Sequence, residues 1–179
     1  MPRIELLQTA QSKSQAQDHL SNIESAFGMI PNMFRAVAHS PSALKSMWSS
    51  FGALGEGTID PKLGEQIAVA IANINSCEYC LAAHTALGRK AGASMAEMES
   101  AQQGNSTDPR TAAILSFACS IVKNRGQVAT HEIDRLRQLH VSDELIVEVV
   151  AHVALNTFTN YINLVFEVPI DFPRVQLRK

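Results

Sequence analysis

The sequence predicts an all-α protein. Prolines directly follow capping residues at several points, which is typical of helix starts, and apolar stretches follow those pairs. No segment alternates apolar and polar residues between turn signals, as a half-buried strand would. The chain has 179 residues, with 46% hydrophobic and 18% charged residues. We therefore expect one ordered, helical, globular domain over residues 1–179.

The first half of the chain is expected to hold five helices. Gly28 follows the first helix, and Ser40 and Asp60, each followed by proline, cap the third and fourth. The fifth covers two cysteines and stops near Gly92. The expected ranges are about 14–27, 31–39, 41–54, 61–74 and 77–92.

The second half is expected to hold four more helices. The segment SMAE, at 94–97, is a capping box for a short helix. Asp108, followed by proline, opens a helix that ends before Gly126, and the segment HEIDRLRQLH forms the next. A long apolar helix runs from Ser142 to about Phe166. The tail EVPIDFP has two prolines and is expected to be extended.

A weak internal two-fold repeat is visible in the sequence. Residues 64–84 can be laid without gaps over residues 143–163, so that glutamate, isoleucine and alanine positions coincide. Two buried helices can also look alike without being copies, and both interpretations stay open here. If the repeat is real, the second copy keeps the scaffold and has lost the chemistry. Its replacements are Asn156 for Cys77, Thr159 for Cys80 and Asn163 for His84.

Composition excludes several classes of protein. The formal net charge is −2, without the basic footprint of a nucleic-acid binder. The apolar stretches are interrupted well before the ~20 residues that a membrane helix needs, so no membrane association is expected. The first residues carry charges and lack the long apolar run of a signal peptide. A CxxC pair outside a disulfide-rich chain is typical of reducing compartments, and we expect the cytoplasm.

The segment SCEYCLAAH, at 76–84, carries the residues best suited to chemistry. On a helix Cys77, Cys80 and His84 share one face, and Cys80 and His84 are one turn apart. The imidazole can accept a thiol proton or stabilise the thiolate, which is the form that reacts with peroxides. The start of a helix also favours negative charge. A second thiol one turn away can condense with a sulfenic acid to give a disulfide.

Glu65 is the fourth candidate. If its helix and the cysteine-bearing helix fold back on each other, Glu65 lies about 15 Å back along its own helix from the turn. His84 lies about 12 Å along the partner helix from Cys77, so the two side chains are expected to be level. A carboxylate often orients a catalytic imidazole in this way. The alternative is a glutamate that only complements the dipole of its own helix.

The spacing of these four residues resembles a known family. Eleven residues separate Glu65 from Cys77, two separate the cysteines, and three separate Cys80 from His84. This pattern looks like the core motif of AhpD-like alkylhydroperoxidases in the carboxymuconolactone decarboxylase superfamily. The flanking segments resemble its peroxidase-related branch, and they are GMIPNMFRAVAHSPSAL and ALNTFTNYINLVFEVPIDFP.

The resemblance implies an AhpD-like helical fold and thiol-dependent reduction of hydroperoxides without a cofactor or metal. It assigns Cys80 as the peroxidatic cysteine, Cys77 as the resolving one, and Glu65 and His84 as a proton relay. It also implies a homo-oligomer (dimer, trimer or hexamer) and a dithiol or lipoyl-bearing reductant. AhpD itself has a histidine before the second cysteine, where this chain has Tyr79. We take Tyr79 as the candidate for that relay position, although a tyrosine with a pKa near ~10 is a poor base.

Three other functions compete with the peroxidase. Two cysteines, His84 and Glu65 can be counted as four zinc ligands, although structural zinc sites usually join two separated ligand pairs. A non-redox lactone decarboxylase of the same fold needs an acid or base but no CxxC pair. A scaffold that only assembles needs neither.

The remaining candidates are interpreted as structural. Cys119 lies among apolar residues and is expected to be a core thiol. His152 is expected to be a hydrogen-bonded core histidine. Trp48, with Met47 and Phe51, forms an apolar face that is either core or subunit interface.

Overall fold

A computed structural model describes residues 2–178 of the chain. Over these residues it contains nine α-helices, one 3-10 helix (Thr9–Gln11) and no strand, which confirms the all-α prediction. The 3-10 helix is too short to leave a periodic pattern in the sequence. The α-helices are α1 (Ser14–Phe27), α2 (Asn32–Val37), α3 (Pro41–Gly55), α4 (Pro61–Ile74), α5 (Glu78–Lys90), α6 (Met95–Gln102), α7 (Pro109–Lys123), α8 (Thr130–Gln138) and α9 (Asp143–Phe166).

Side-chain caps open the helices at the predicted positions. The Ser40 hydroxyl accepts a hydrogen bond from the backbone N–H three residues on, at 3.2 Å, in front of α3. Asp60 and Asp108 cap α4 and α7 in the same way, at 3.1 and 2.7 Å. Ser94 and Glu97 form the predicted capping box of α6. These bonds satisfy N–H groups that have no partner within the helix.

Helix α5 begins later than the sequence indicated, and Cys77 is its N-cap rather than its first residue. Cys77 has extended backbone angles, and its Sγ accepts a hydrogen bond from the N–H of Cys80 at 3.3 Å. Ser76, just before it, has a φ of 57°. The link between α4 and α5 spans only residues 75–77, and this left-handed residue lets so short a link reverse the chain.

Helix α4 lies at the centre of the domain, where it packs against α5, α6, α7 and α9. Eight of its 14 residues are buried, including Ile67 and Ile71. A helix that is apolar on nearly every side has to be covered on nearly every side. Because Glu65 lies near the start of this helix, its carboxylate is held at the edge of the core and not in a loop.

The two segments of the proposed repeat differ in backbone conformation. Residues 64–84 form a helical hairpin with a turn at Ser76, whereas residues 143–163 lie within one continuous helix, α9. Leu155 occupies the position that matches Ser76 and is helical. The internal repeat therefore stays a prediction. If the two segments are copies, they share a sequence pattern but not the turn between two helices.

Helix α9 is the one helix between residues 2 and 178 that is long and apolar enough to cross a membrane by length and composition. Its mean hydropathy is 1.3 over an 18-residue window. Core helices of globular proteins reach similar values, and nine of its residues are buried against the rest of the chain. The prediction of no membrane association rested on uninterrupted apolar runs, which this averaged measure does not test, so it stays a prediction.

The tail after α9 has no helix, as predicted, and folds back over the domain. The Asp171 carboxylate accepts a hydrogen bond from the backbone N–H of Asn32 at 2.8 Å. Farther along, the Gln102 side chain donates to the carbonyl of Gln176 at 2.8 Å. Between these two attachments the ring of Phe172 packs edge-on against Tyr79 of α5. The tail is thereby part of the wall around the cysteine-bearing helix.

Gly88 of α5 allows α4 and α6 to approach closely, which generates a prediction about stability. A Cβ built at Gly88 would lie 3.2 Å from the Cβ of Glu65 and 2.5 Å from the Cε of Met98. We expect Gly88→Ala to lower the free energy of unfolding by about 1–3 kcal/mol, because Met98 and α4 have to move. Urea denaturation measures this change.

Gly52→Ala in α3 is the matched control, since a Cβ there meets nothing within 4 Å. It should raise the free energy of unfolding by about 0.5–1 kcal/mol, because alanine loses less backbone entropy than glycine. Equal effects of the two substitutions would show that the packing at Gly88 tolerates a methyl group.

Candidate active site

The helical hairpin of α4 and α5 brings Glu65 and His84 into direct contact. Glu65 Oε2 and His84 Nδ1 are 2.7 Å apart, and both side chains are mostly buried. An ionised carboxylate can only accept, so Nδ1 carries the proton of this bond. The tautomer that results leaves Nε2 of the imidazole able to exchange a proton with another group. The level placement that the spacing predicted is therefore found in the structure.

The two cysteines stand at the start of α5 and are joined as a disulfide. Their Cα atoms are 5.4 Å apart, and both side chains are buried. When reduced, the same positions would place a thiolate of Cys80 within the first turn of a helix, where backbone N–H groups stabilise negative charge. The redox activity of this pair stays a prediction.

Asn163 of α9 is a functional candidate that the sequence reasoning missed. Its Nδ2 donates a hydrogen bond to Cys80 Sγ at 3.2 Å, and its buried Oδ1 has no hydrogen-bond partner among the described residues. Such a donor stabilises negative charge on the sulfur. A signal was present in the sequence, because Asn156, Asn160 and Asn163 recur at helical spacing in an otherwise apolar helix and are buried.

Tyr79 lies beside the cysteines but is engaged elsewhere. Its hydroxyl accepts a hydrogen bond from the backbone N–H of Met33 at 3.2 Å and lies next to the Asp171 carboxylate. Burial, and then the charge of Asp171, raise the pKa of Tyr79 well above its usual value. The hydroxyl is thus neutral near pH 7, and its relay role stays a prediction.

An apolar cavity of about 300 Å³ opens onto the site. Cys80, His84 and Glu65 contribute to its wall, together with Thr159 and Asn163. The sequence left the face of Trp48, Met47 and Phe51 open between core and subunit interface. In the structure Trp48 and Phe51 line the cavity, and Met47 is fully buried. The other aromatic rings in the lining are Phe27, Phe34, Tyr79 and Phe172.

Comparison with known proteins supports the fold. Residues 41–103 match the model of the carboxymuconolactone decarboxylase family. The crystal structure of an AhpD core, an uncharacterized peroxidase-related protein of Ralstonia eutropha JMP134, superposes with a TM-score of 0.86. The two sequences are 22% identical, and the match covers 95% of this chain and 92% of that one. The chain therefore has an AhpD-like fold, and its residues 41–103 are similar to the carboxymuconolactone decarboxylase family.

Two further structures share the AhpD-like fold. An uncharacterized peroxidase-related protein of Silicibacter sp. TM1040 has a TM-score of 0.82 and 21% identity, with 99% of this chain and 96% of that one covered. The debrominase Bmp8, as its C82A variant in complex with 2,3,4-tribromopyrrole, has a TM-score of 0.81 and 19% identity, with 94% and 91% covered. A sequence comparison with curated proteins finds no match. At these identities the structures establish the fold and not the reaction.

Beside the Glu65–His84 pair lies a smaller cavity of about 190 Å³. His152 of α9 lines it together with both members of the pair. The sequence led us to expect that His152 is a hydrogen-bonded core histidine. For its Nε2 atom this is wrong, because Nε2 is buried without a hydrogen-bond partner in the described part of the chain. Burial lowers the pKa of His152, against the opposing charges of Glu148 and Glu65.

The other two predictions concern metal binding and Cys119. Residues 2–178 contain no group of three or more His, Cys, Asp or Glu side chains that could hold a metal ion. The four residues considered as zinc ligands are instead paired with each other, as a disulfide and an imidazole–carboxylate bond. Cys119 is the buried core thiol that was expected, and burial raises its pKa.

The contact between Glu65 and His84 predicts a specific effect of Glu65→Gln. The amide keeps the shape of the side chain but removes the carboxylate that selects the His84 tautomer. We expect the rate at which reduced protein consumes a hydroperoxide to fall about ten- to a hundred-fold, as for other residues that orient a catalytic imidazole. Stopped-flow kinetics at pH 7 measure this rate.

Asp108→Asn is the control, since it changes a helix cap outside the site. It should lower the stability by about 1 kcal/mol or less and leave the rate unchanged. A Glu65→Gln variant that reacts as fast as the unmodified protein would reduce Glu65 to a residue that only complements its helix.

The environment of His152 predicts a pH-dependent stability. Burial lowers the pKa of His152 below its ordinary value, and His84 on α5 lowers it further. Glu148 on its own helix and Glu65 on α4 act in the opposite direction. As the pH falls below about 6.5, the unfolded chain takes up a proton on this histidine that the folded protein does not yet accept. Unfolding is therefore favoured from that pH down to the pKa of the folded state.

We expect His152→Gln to flatten the decline in the free energy of unfolding between pH 7 and pH 5. Urea denaturation of both proteins across this range measures it. Parallel pH profiles would contradict the assignment and indicate that His152 titrates equally in both states.

Proposed function

We propose that the protein is a thiol-dependent peroxidase that reduces hydroperoxides through Cys77 and Cys80. The observation that supports this proposal best is the placement of Cys80 in the wall of a cavity that also contains the Glu65–His84 pair. A nucleophile and an oriented imidazole thus face the same space, which is the arrangement that covalent catalysis requires. An alkylhydroperoxidase-like oxidoreductase is the activity that this site fits.

The reaction would proceed in two steps. Cys80 gives its thiol proton to Nε2 of His84, and the thiolate attacks the outer oxygen of the hydroperoxide. The O–O bond breaks, and the alkoxide takes that proton from His84 and leaves as an alcohol. Cys80 is then a sulfenic acid. The Cys77 sulfur then attacks the sulfur of Cys80, and the hydroxide that leaves takes the proton released by the Cys77 thiol and becomes water. The peroxide gains the two electrons that the cysteine pair loses.

Two contacts support Cys80 as the first cysteine to react. Cys80 lines the apolar cavity, and Asn163 Nδ2 is aimed at its sulfur. Cys77 is an N-cap whose sulfur accepts the N–H of Cys80. The apolar lining favours organic hydroperoxides over hydrogen peroxide, because burial of an organic group in the cavity contributes binding energy.

The partners implied by the resemblance stay proposals. A dithiol or lipoyl-bearing reductant returns the disulfide to thiols, and the cytoplasm is the compartment in which such a cycle runs. For the homo-oligomer, α9 offers a surface for a second copy of the chain. Val147, Val150, Tyr161 and Val165 are exposed apolar residues at helical spacing along one side of this helix.

Reductive dehalogenation is a second candidate, favoured by the same aromatic cavity beside Cys80. The structurally similar Bmp8 is a debrominase. In such a reaction the Cys80 thiolate takes the halogen from an aromatic carbon, which gains a proton, and Cys77 displaces halide to form the disulfide. The carbon–halogen bond receives the two electrons that the thiols lose, so the protein product is the same as with a peroxide.

The proposal predicts which sulfur atoms change. Reduced protein treated with one equivalent of cumene hydroperoxide should lose two thiols and form an intramolecular Cys77–Cys80 bond, while Cys119 stays free because it is buried. In Cys77→Ser, a sulfenic acid should accumulate on Cys80, whereas in Cys80→Ser oxidation of Cys77 should be slow. Peptide mass spectrometry and a sulfenic-acid probe detect these products.

Equal reactivity of the two single variants would contradict the assigned order of the cysteines. Stoichiometric zinc in the purified protein, with thiols that resist the peroxide, would contradict the peroxidase and favour a metal site. Release of bromide from a bromopyrrole at a higher kcat/KM than consumption of the hydroperoxide would favour the dehalogenase.

A further inference from the structure

The two sulfur atoms of the disulfide belong to different cavities. Cys80 lines the apolar cavity, whereas Cys77 lines a second, more open cleft of about 340 Å³. Tyr79 and Asn163 line both spaces and so lie between them. The cysteine pair is therefore reached from two sides, one for each sulfur.

The cleft differs chemically from the apolar cavity. The charged residues Glu78, Glu167 and Arg174 line it. Apolar residues of α9 and of the tail, such as Ile170, line it as well. Asn163, which borders it, has a buried Oδ1 without a hydrogen-bond partner in residues 2–178. A carbonyl oxygen in this state can accept a hydrogen bond from an incoming thiol. The cleft thus combines charged and apolar residues, and it suits a different ligand from the one that fits the aromatic cavity.

The geometry of thiol–disulfide exchange determines what each side can do. The attacking thiolate has to approach one sulfur along the S–S axis, away from the sulfur that leaves. A nucleophile in the cleft meets Cys77, and the leaving group is then Cys80. The exchange is faster when the leaving thiolate is stabilised, and Cys80 receives the hydrogen bond from Asn163 Nδ2 at 3.2 Å.

We propose that the cleft at Cys77 is the binding site of the reductant and that the reductant's thiolate attacks the Cys77 sulfur, while the oxidant enters through the aromatic cavity to Cys80. The proposal rests on the redox cycle proposed above but not on the identity of the oxidant. Cys77 is only 1% exposed. A slender dithiol arm therefore suits the cleft better than the surface of a folded redox protein.

The exchange balances in two steps. The first thiolate of the reductant bonds to Cys77, the Cys77–Cys80 bond breaks, and Cys80 leaves as a thiolate that can take a proton from His84. The second thiol of the reductant then attacks the reductant's own sulfur in the mixed disulfide, and Cys77 leaves and is protonated. The reductant becomes a disulfide and gives two electrons and two protons to the cysteine pair.

Trapping the first step tests the proposal without any peroxidase activity. The purified protein is oxidised with diamide, treated with 2-mercaptoethanol, and quenched with iodoacetamide, which caps the released thiol. Peptide mapping should find the mercaptoethanol adduct on Cys77 and the carbamidomethyl group on Cys80. The opposite distribution, or equal amounts of both, would overturn the proposal. Failure of the peroxide reaction alone would leave this result untouched.

A matched pair of variants separates the two entrances. Ile170→Trp fills the cleft, and Leu87→Trp fills the aromatic cavity. Both residues are half-buried, and each lines only one of the two spaces. We expect Ile170→Trp to slow reduction of the disulfide by dihydrolipoamide about tenfold or more, since exchange depends on access. Oxidation by cumene hydroperoxide should be unchanged in this variant, and Leu87→Trp should have the opposite pattern.

Slowing of both half-reactions by the same factor in each variant would overturn the proposal. If a variant fails to fold, as thermal unfolding would show, the unmodified protein gives the same answer. Cumyl alcohol, the product of the peroxide reaction, should inhibit oxidation of the reduced protein. It should not inhibit reduction of the disulfide, and equal inhibition of both would contradict separate entrances.

Discussion

The close packing of α4 against α5 is the constraint on which the site depends. The hydrogen bond between Glu65 and His84 exists only because the two helices reverse within three residues and then lie side by side. Ser76 permits the reversal through its positive φ, and Gly88 permits the close approach. The same turn leaves Cys77 outside α5 as its cap. One local arrangement thus determines the positions of Glu65, His84 and both sulfur atoms.

Helix α9 supplies polar side chains next to that hairpin, and their burial lowers the stability of the fold. Asn156, Asn160 and Asn163 are buried, and each has at least one side-chain atom without a hydrogen-bond partner among the described residues. Unsatisfied groups of this kind destabilise a folded chain by about 1–3 kcal/mol each. Asn160 also accepts a hydrogen bond from Asn75 in the turn, at 3.0 Å. Such costs are typically tolerated where a site needs them.

Local signals in the sequence predicted the helices well. Ser40, Asp60 and Asp108 act through residues only three positions away, so the caps of α3, α4 and α7 could be read from the sequence. The level placement of Glu65 and His84 followed from helix geometry alone. By contrast, the capping role of Cys77 depends on the tight turn at Ser76, which the sequence pattern did not indicate.

Long-range contacts explain what the sequence could not predict. Asn163 meets Cys80 across 83 positions of the chain, and nothing near either residue indicates that contact. His152 reaches the smaller cavity in the same way, from α9 to α4 and α5. Trp48 looked like core or interface because an aromatic ring on a cavity wall has the same sequence pattern as one in a packed core.

The residues that complete the site lie in the tail and are therefore synthesised after the α4–α5 hairpin. Phe172 and Asp171 hold Tyr79 from the outside, and Phe172 completes the lining beside Cys80. These residues leave the ribosome long after the hairpin of α4 and α5. The nascent chain therefore passes through a stage in which its cysteine pair has been synthesised but is still open on one side. Until the last segment has docked, any thiol chemistry of the pair proceeds without the selectivity of the finished cavity.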